Sequence, residues 1–305
     1  PILSERFASS AAKGISPQNW APWRKPIPMC QWDPILFKKT GSMGQTLSCA
    51  HPIGLDLPRP KKTSSSAFNM TPDLSDLYEV IDHTWPAHKQ VSCGPWTLRE
   101  GRGGGKRVSA ATLQDRTKVQ EIKIAEKGMR ELGQIPLFMV RDGEEELDHI
   151  LQAESYKIID AVNIYCVSSE ELSRPNPPRL SMFDIWEPLE IQKDIWAQGG
   201  IGRDRVAVME RAKCVKTSLL MRWDNHPAGT AYIGVHNGVG MVHALEILPQ
   251  QRRKGVGALA MRHASIWALS QTAAHMSVIC TKENKAANAL TLHSRCVCGR
   301  VPLSD

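Results

Sequence analysis

The 305-residue sequence has no run of roughly 18 to 20 apolar residues, so its pattern offers no helix able to span a bilayer. It has no C-x-x-C pair among eight cysteines, and no histidines stand near them at zinc-ligand spacing, so we expect reduced thiols and no metal. It also lacks the charged start and apolar centre of an export signal. With 42% hydrophobic and 23% charged residues, the composition is that of a soluble globular protein, and we expect a cytoplasmic one.

Net positive charge is small outside the first part of the chain. The formal net charge is +7, but residues 1–70 hold nine Lys or Arg against three Asp or Glu. A net charge of about +1 is left for the remaining residues. A basic surface that follows a phosphate backbone is therefore not predicted, and we expect no nucleic-acid partner and no membrane partner.

Residues 1–69 show no sustained helical or strand period and contain nine prolines. We interpret them as a disordered tail that is not part of the native protein. In this interpretation translation begins at Met70, with Thr71 as a helix cap and Pro72 at the first helical position. The alternative is an authentic disordered extension. Either way, removing the tail should leave folding unchanged.

The stretch 70–170 alternates between helix and strand patterns. Helices are predicted at about 72–84, 118–132 and 144–153, and strands at 96–99, 136–140 and 157–167. This alternation indicates an α/β domain. The segment Ser173–Pro178, SRPNPP, is typical of a linker and predicts that a second domain covers 180–305.

A first glycine-rich segment runs from Gly101 to Arg107, GRGGGKR. It resembles a phosphate-binding loop, but the first glycine of the Walker pattern is Glu100 here, and no Ser or Thr follows Lys106. We interpret it as a flexible turn or bulge. A loop that faces a ligand or substrate is the alternative.

A second glycine-rich segment comes after three apolar runs at 213–223, 228–236 and 239–248, which are separated by the turn sequences Asn225-His226-Pro227 and Asn237-Gly238. This antiparallel meander ends in Arg252-x-x-Gly255-x-Gly257, after which a helical period begins. Glycines let the backbone approach a ligand, and a helix N-terminus attracts anions. A pyrophosphate would fit this loop.

A strand at 275–280 and a helix opened by Asn284, with Ala287 and Leu290 at helical spacing, complete the pattern. The order meander, loop, helix, strand and N-x-x-A-x-x-L helix resembles the GNAT superfamily of acyl-CoA N-acyltransferases. The resemblance implies an α/β (α+β) fold with a mixed, mostly antiparallel sheet and flanking helices. The stretch 70–170 would be a degenerate GNAT-like half, as in tandem-GNAT bacterial proteins. Acetyl-CoA would be the cosubstrate, bound by Leu245, Ile247, Leu248, Arg252, Arg253, Lys254, Gly255, Val256, Gly257, Ala258, Asn284 and Ala287.

The ionisable groups on the strand before the loop are His243 and Glu246, which two-residue alternation places on opposite faces. Either is a candidate base for the acceptor amine. The alternatives are a structural ion pair for Glu246 and a hydrogen-bonded core position for His243, and His263 is expected in the core. The resemblance implies a tyrosine as proton donor to the leaving thiolate after Leu290. This chain has Thr291 there, so Thr291 is the candidate proton donor, with a hydroxyl far less acidic than a phenol.

We therefore expect an enzyme that acetylates a primary amine of a small molecule or peptide; a catalytically weak acyl-CoA-binding or regulatory member is the alternative. The segment Thr291–Asp305, TLHSRCVCGRVPLSD, does not match the end of such a domain. We hypothesise a single-base slip after Leu290, with loss of the last strand pairing. The acceptor amine cannot be read from these patterns.

Overall fold

The computed structural model describes residues 71–179, 181–292 and 299–304, the last of these as backbone. The tail 1–69 lies outside the described residues. The helices are α1 (Leu74–Thr84), α2 (Ile122–Glu131), α3 (Glu145–Ala153), α4 (Ser169–Leu172), α5 (Glu190–Gln198), α6 (Arg203–Arg211), α7 (Val256–Ser270) and α8 (Lys285–Leu292). The strands are β1 (Lys89–Cys93), β2 (Trp96–Glu100), β3 (Thr112–Leu113), β4 (Phe138–Met139), β5 (Ile158–Ser168), β6 (Met182–Ile185), β7 (Val215–Trp223), β8 (His226–His236), β9 (Val239–Ile247), β10 (His275–Thr281) and β11 (Gly299–Ser304).

The described strands form two sheets. A small antiparallel sheet has the order β1-β2-β3, and the large one has the order β4-β11-β5-β10-β9-β8-β7-β6. Every neighbouring pair in the large sheet is antiparallel except β9 and β10, which run parallel from His275 opposite Val239 to Val278 opposite Val242. The predicted mixed, mostly antiparallel sheet with flanking helices is confirmed.

The hairpins of the meander turn where the sequence has residues that tolerate positive φ. Asp224 and Asn225 have φ of 48° and 58°, and Asn237 and Gly238 have 47° and 73°. Two successive positive φ values match the twist of a two-residue hairpin. The first turn lies one residue earlier than predicted, because His226 and Pro227 already pair with β7.

Helix α1 begins two residues later than predicted. The carboxylate of Asp73 accepts the N–H of Asp76 at 2.9 Å, and the Asp76 carboxylate accepts the N–H of Asp73 at 3.0 Å. A carboxylate at this position also interacts favourably with the positive end of the helix. Thr71 and Pro72 therefore precede the helix.

Both faces of the large sheet are covered. Val242 packs in the apolar cluster beneath α7, whereas its neighbour Met241 packs with α1 on the opposite face. Helix α5 also contacts β8 and β9, and its Trp196 is fully buried. Burying one such large side chain stabilises the fold by roughly 1.5–3 kcal/mol. His263, expected in the core, is only half-buried, and its Nε2 lies 2.9 Å from Asp184 Oδ1 on β6.

The predicted boundary between 70–170 and 180–305 does not separate two sheets. Strand β5, from the first segment, pairs with β10 of the second through seven residues, from His275 opposite Ser168 to Thr281 opposite Val162. The described residues, from 71 onward, belong to one compact unit. The sequence could not show this, since a linker composition does not reveal which strands pair across it. A degenerate GNAT-like origin of the first segment stays a prediction.

The last described strand corrects a second expectation. Residues Gly299–Ser304 pair with β5 and β4, so the chain as written does close the sheet. The register shifts between Val301 and Leu303, at Pro302. Proline has no N–H to donate, and such an irregularity is where a sheet tolerates it.

Candidate functional site

A cleft of about 1360 Å³ opens where β9 and β10 part. The two strands pair only as far as Val242 and Val278, and beyond this point β9 has no described partner on that side. The cleft extends from the second half of β9 to the start of α7, α8 and the Gly101–Arg107 segment. Sequence periodicity predicts strands but not where two of them separate.

Strand β9 carries a bulge inside this cleft. Tyr232 pairs with His243 and Thr230 with Glu246, so Ala244 and Leu245 together face one residue of β8. Ala244 has a φ of 50°, and its carbonyl accepts the indole N–H of Trp196 at 2.8 Å. An extra residue resets the alternation of a strand. The prediction that His243 and Glu246 point to opposite faces is therefore wrong.

Glu246 lies on the wall of the cleft and is tied to the glycine loop. Its Oε1 is 2.9 Å from Nη2 of Arg252, and the Nε of Arg252 donates to the carbonyl of Ile247 at 2.9 Å. Only 18% of the Glu246 side chain is exposed. The ion pair that we named as the alternative for Glu246 is present, and it holds the carboxylate at the cleft.

His243 is 5% exposed and is enclosed by hydrogen bonds. Thr84 Oγ1 donates to the carbonyl of Val80 at 2.7 Å, so we assign it as the acceptor of the His243 Nε2–H at 2.8 Å. The Nδ1 lone pair then faces Nη1 of Arg107 at 3.4 Å. Burial, and secondly the charge of Arg107, holds the pKa of His243 well below its usual value. This matches the hydrogen-bonded core histidine better than a base.

The segment 252–257 forms the predicted loop before α7. Gly255 has a φ of 81° and caps the helix, and Arg253 has a φ of 62°. Leu259 is the first residue whose N–H bonds back to the preceding turn, at 3.1 Å from the carbonyl of Gly255. The N–H groups before it have no such acceptor in the described part of the chain, as at any helix start. They are available to an anion.

Ten of the twelve predicted cofactor residues line the cleft: Leu245, Ile247, Arg252, Arg253, Gly255, Val256, Gly257, Ala258, Asn284 and Ala287. Leu248 does not; it is buried, and its N–H bonds to the carbonyl of Ala228. Lys254 does not either, and its Nζ donates to Gln251 Oε1 at 3.0 Å. Periodicity did not reveal these two exceptions, because they depend on the turn at Pro249–Gln251.

Asn284 caps α8 as predicted, since its Oδ1 accepts the N–H of Ala287 at 3.0 Å. A residue that sequence reasoning missed, Asn288, anchors the helix. Its Oδ1 accepts hydrogen bonds from Tyr165 Oη and Asn163 Nδ2, both at 2.8 Å, and thereby ties α8 to β5. Thr291 lies in the last turn of α8, and its side chain is outside the described part. Its role as proton donor stays a prediction.

The Gly101–Arg107 segment also reaches the cleft, through Gly104, Gly105, Lys106 and Arg107. Its glycines permit close packing against α6: a Cβ on Gly104 would lie 2.6 Å from Val208 Cγ2. The segment is a turn, as predicted, but a closely packed one, and it faces the cleft. That it faces a ligand or substrate stays a prediction. Sequence reasoning missed the role of α6, which brings Arg205 to the same wall.

Outside the cleft lining, Glu79, His83 and His236 have possible ligand atoms within 4.8 Å of one another. The two imidazole rings are stacked at 3.7 Å and 5°, so their lone pairs run side by side instead of converging on one ion. Glu79 Oε1 lies 3.1 Å from His236 Nε2, and this hydrogen bond lowers the pKa of Glu79. We interpret the group as a hydrogen-bonded surface cluster, and the prediction of no metal stays a prediction.

Within the described residues, no helix is long and apolar enough to cross a membrane.

Residues 182–293, which contain β6 to α8 and the cleft loop, match the family described as "Acetyltransferase (GNAT) family". Residues 182–293 are a GNAT domain. The chain is 26% identical over 227 residues to the "Uncharacterized N-acetyltransferase YobR" of Bacillus subtilis (strain 168), covering 72% of this chain and 92% of that protein. This match is longer than the GNAT domain, so it includes residues outside it.

Two solved structures share the fold. The GCN5-related N-acetyltransferase from Kribbella flavida aligns with a TM-score of 0.56 at 17% identity, over 74% of this chain and 92% of that one. A functionally unknown conserved protein from Staphylococcus epidermidis ATCC 12228 aligns with a TM-score of 0.55 at 8% identity, over 73% and 96%. At such identities the similarity concerns the fold alone.

Proposed function

We propose that this protein is an acetyl-CoA-dependent N-acetyltransferase that acetylates a primary amine of a small molecule or peptide. The observation that carries the proposal is the cleft between β9 and β10, which leads to the unpartnered N–H groups at the start of α7. These groups and the loop Arg252–Gly257 suit a pyrophosphate. The pantetheine arm would then lie in the opening beside β9.

In this proposal Glu246 removes the proton of the acceptor amine, directly or through water. It is the carboxylate of the bulged strand that lines the cleft, and Arg252 fixes its orientation at 2.9 Å. His243 is unsuited to this role because its Nδ1 faces a cation and its Nε2–H is bonded to Thr84. General base catalysis of this kind typically accelerates a reaction about 10²–10⁴-fold.

The alternative is an acyl-CoA-binding or regulatory protein with little catalysis. The Glu246–Arg252 ion pair favours it, because a carboxylate held by a guanidinium is less available to a substrate. Both functions predict cofactor binding, and only the first predicts turnover.

The first test is the melting temperature with and without acetyl-CoA. Ligand at 100 times its Kd should stabilise the protein by about 2.7 kcal/mol. No shift at millimolar acetyl-CoA would contradict both functions. The second test is amine-dependent release of CoA, and binding without any release would leave the regulatory function.

The variant Glu246→Gln tests whether Glu246 acts as the general base or serves only as the ion-pair partner of Arg252. We expect a loss of at least 100-fold in kcat with unchanged stabilisation by acetyl-CoA. Glu190→Gln, which removes an exposed carboxylate of α5 away from the cleft lining, is the matched control. Turnover of Glu246→Gln equal to that of the control would remove Glu246 from the mechanism.

A further inference from the structure

Two arginines without a carboxylate beside them lie on the wall of the cleft that the Gly101–Arg107 segment and α6 form. Arg107 and Arg205 both line the cleft, and neither forms an ion pair within 4.0 Å in the described part of the chain. Arg107 comes after the Gly101–Gly105 turn, and Arg205 lies in the first turn of α6. A Cβ on Gly105 would lie 3.5 Å from Arg205 Nε, so the Arg205 side chain lies against the turn that precedes Arg107.

The acids on the cleft lining are already neutralised by other cations. Asp160 pairs with Lys106 at 3.0 Å, and Glu246 pairs with Arg252 at 2.9 Å. These two pairs cancel in charge. Arg107 and Arg205 are then left as an uncompensated charge of +2 on the wall formed by the Gly101–Arg107 segment and α6. The other cleft arginines without an ion pair among the described residues lie elsewhere, Arg253 in the loop before α7 and Arg262 on α7.

The surroundings of Arg107 are unusual for a half-buried cation. Its Nη1 faces a neutral ring nitrogen of His243 at 3.4 Å, not a carboxylate. Burial, and then the charge of Arg205, lowers the pKa of Arg107 to about 10, so the guanidinium stays charged near neutral pH. A half-buried cation without an anionic partner is energetically costly, and an incoming anion would lower that cost.

The position of this charge separates it from the pyrophosphate loop. Arg107 contacts β9 at His243, four residues before Ile247. The bulge at Ala244 lies between these two positions. Arg107 is therefore placed at the His243 end of the bulge, whereas Glu246 lies at the other end, where Arg252 of the loop holds it.

We infer that the acceptor is an amine that also carries an oxyanion, a carboxylate or a phosphate, and that Arg107 and Arg205 bind this group. The inference rests on the proposed function and adds the substrate class. Arginine matches both anions because its planar fork can donate two parallel hydrogen bonds. Glu246 would face the amine while the arginines hold the other end.

The test uses the full chain and pairs of amines that differ in the anionic group. L-amino acids are compared with their amides, and O-phosphoethanolamine with ethanolamine. The two readouts are kcat/KM for CoA release and the melting temperature in the presence of CoA, which reports binding without turnover. We expect the anionic member of at least one pair to be preferred tenfold or more, and the preferred pair identifies carboxylate or phosphate as the anion.

The variants Arg107→Gln and Arg205→Gln should each reduce this preference at least tenfold, mainly through KM. Arg205 is exposed, so its variant keeps the test valid if Arg107→Gln does not fold. Arg203→Gln is the matched control, because Arg203 begins the same helix, is exposed and is not on the cleft lining. It should retain the preference of the wild type.

Equal use and equal binding of acids and amides would overturn the inference, as would a preference that persists in both variants. A tenfold loss of acetyl-CoA affinity in Arg107→Gln would assign this cation to the cofactor and overturn it as well. If acetyl-CoA stabilises the protein but no anionic amine is preferred, the inference fails alone. If acetyl-CoA gives no stabilisation, the proposed function fails, and the melting temperatures with the amine pairs still decide whether the arginines bind an oxyanion.

Discussion

The two glycine-rich basic segments of this chain, Gly101–Arg107 and Arg252–Gly257, both reach the same cleft and use glycine for opposite reasons. A Cβ at Gly104 would lie 2.6 Å from Val208 and 3.0 Å from the carbonyl of Gly101, so this glycine permits packing. At Gly255 there is nothing within 4 Å, and its φ of 81° orients the backbone at the start of α7. Similar composition therefore permits close packing in one segment, and a positive φ with open space around it in the other.

The two segments also lead into different elements. Gly255 precedes a helix of 15 residues, whose first N–H groups are unpartnered and whose dipole favours an anion. The Gly101–Arg107 segment ends in a three-residue 3-10 turn, Lys106–Val108. It offers side-chain charge through Arg107 instead of a helix end. Under the two proposals above, the same cleft would hold one anion through backbone N–H groups and another through side chains.

The largest effect is expected at the backbone site. Gly257→Glu places a carboxylate where a pyrophosphate would bind and should abolish the stabilisation by acetyl-CoA, a loss of about 2.7 kcal/mol at 100 times the wild-type Kd. Thermal melting with acetyl-CoA measures it. Gly257→Ala is the control, because its Cβ would meet only Leu290, at 3.4 Å and beyond. A Gly257→Glu protein that is still stabilised like the wild type would contradict the site.

The packing glycine should respond in the opposite way. Gly104→Ala forces a methyl group against Val208 and Val108 and should lower the free energy of unfolding by about 1–3 kcal/mol. Affinity for acetyl-CoA, measured on the folded protein, should not change. Chemical denaturation beside Gly257→Ala provides the comparison. If Gly104→Ala were as stable as the wild type, the two segments would not differ as we describe.

A smaller effect distinguishes the two arginines of the second segment. Arg253 lines the cleft, and no side-chain hydrogen bond or ion pair of Arg253 is present in the described part of the chain. Arg253→Gln should weaken acetyl-CoA binding about tenfold, or about 1.4 kcal/mol, with an unchanged melting temperature. Arg252→Gln should lower the melting temperature, because Arg252 bonds to Ile247 and Glu246. Titration calorimetry measures the affinity and thermal melting the stability of both variants. The assignment would be wrong if Arg252→Gln weakened binding at an unchanged melting temperature while Arg253→Gln lowered the melting temperature at unchanged affinity.

The smallest effect is a pH dependence beside the first segment. The pKa of buried His243 is lower in the folded state than in the unfolded chain, so the unfolded state binds the proton first as pH falls. The stability contributed by neutral His243 is present above the unfolded pKa of about 6.5 and is lost below it, by at most about 1.4 kcal/mol per pH unit. His243→Gln should have a shallower slope of unfolding free energy between about pH 6.5 and 5.

Burial also lowers the pKa of His275, so part of the slope should remain in this variant. An identical slope in wild type and His243→Gln would show that His243 accepts a proton as readily in the folded protein as in the unfolded one. Unfolding free energies above pH 7.5 are the internal reference for both proteins.

Much of the fold is explained by local sequence. The meander is predicted because Asn225, Asn237 and Gly238 adopt positive φ readily, and the helix after Asn284 because its side chain caps the first turn. The loop before α7 is predicted because its glycines and the subsequent helical period lie next to each other in the chain. In each case the interacting groups are a few residues apart, so spacing alone is informative.

The rest depends on contacts between distant residues. No local pattern reveals that β5 pairs with β10 across the predicted linker, since strand pairing is decided by which edges are free in the folded chain. The same holds for the bulge at Ala244, which Trp196 stabilises from α5 and which brings His243 and Glu246 to one face.

The sequence by itself determined the order of the elements from the meander to α8, the position of the glycine loop before α7 and the chemical type of the candidate base, because these depend on residue identity and short spacing. Only the tertiary structure decided that Arg107 and Arg205 share a wall of the cleft, because they lie 98 positions apart in the sequence and meet through the packing of Gly104 on Val208. It also decided that His243 is neutral and enclosed, since its partners Thr84 and Arg107 come from other elements. Charge and burial belong to the folded arrangement, and residue type alone does not fix them.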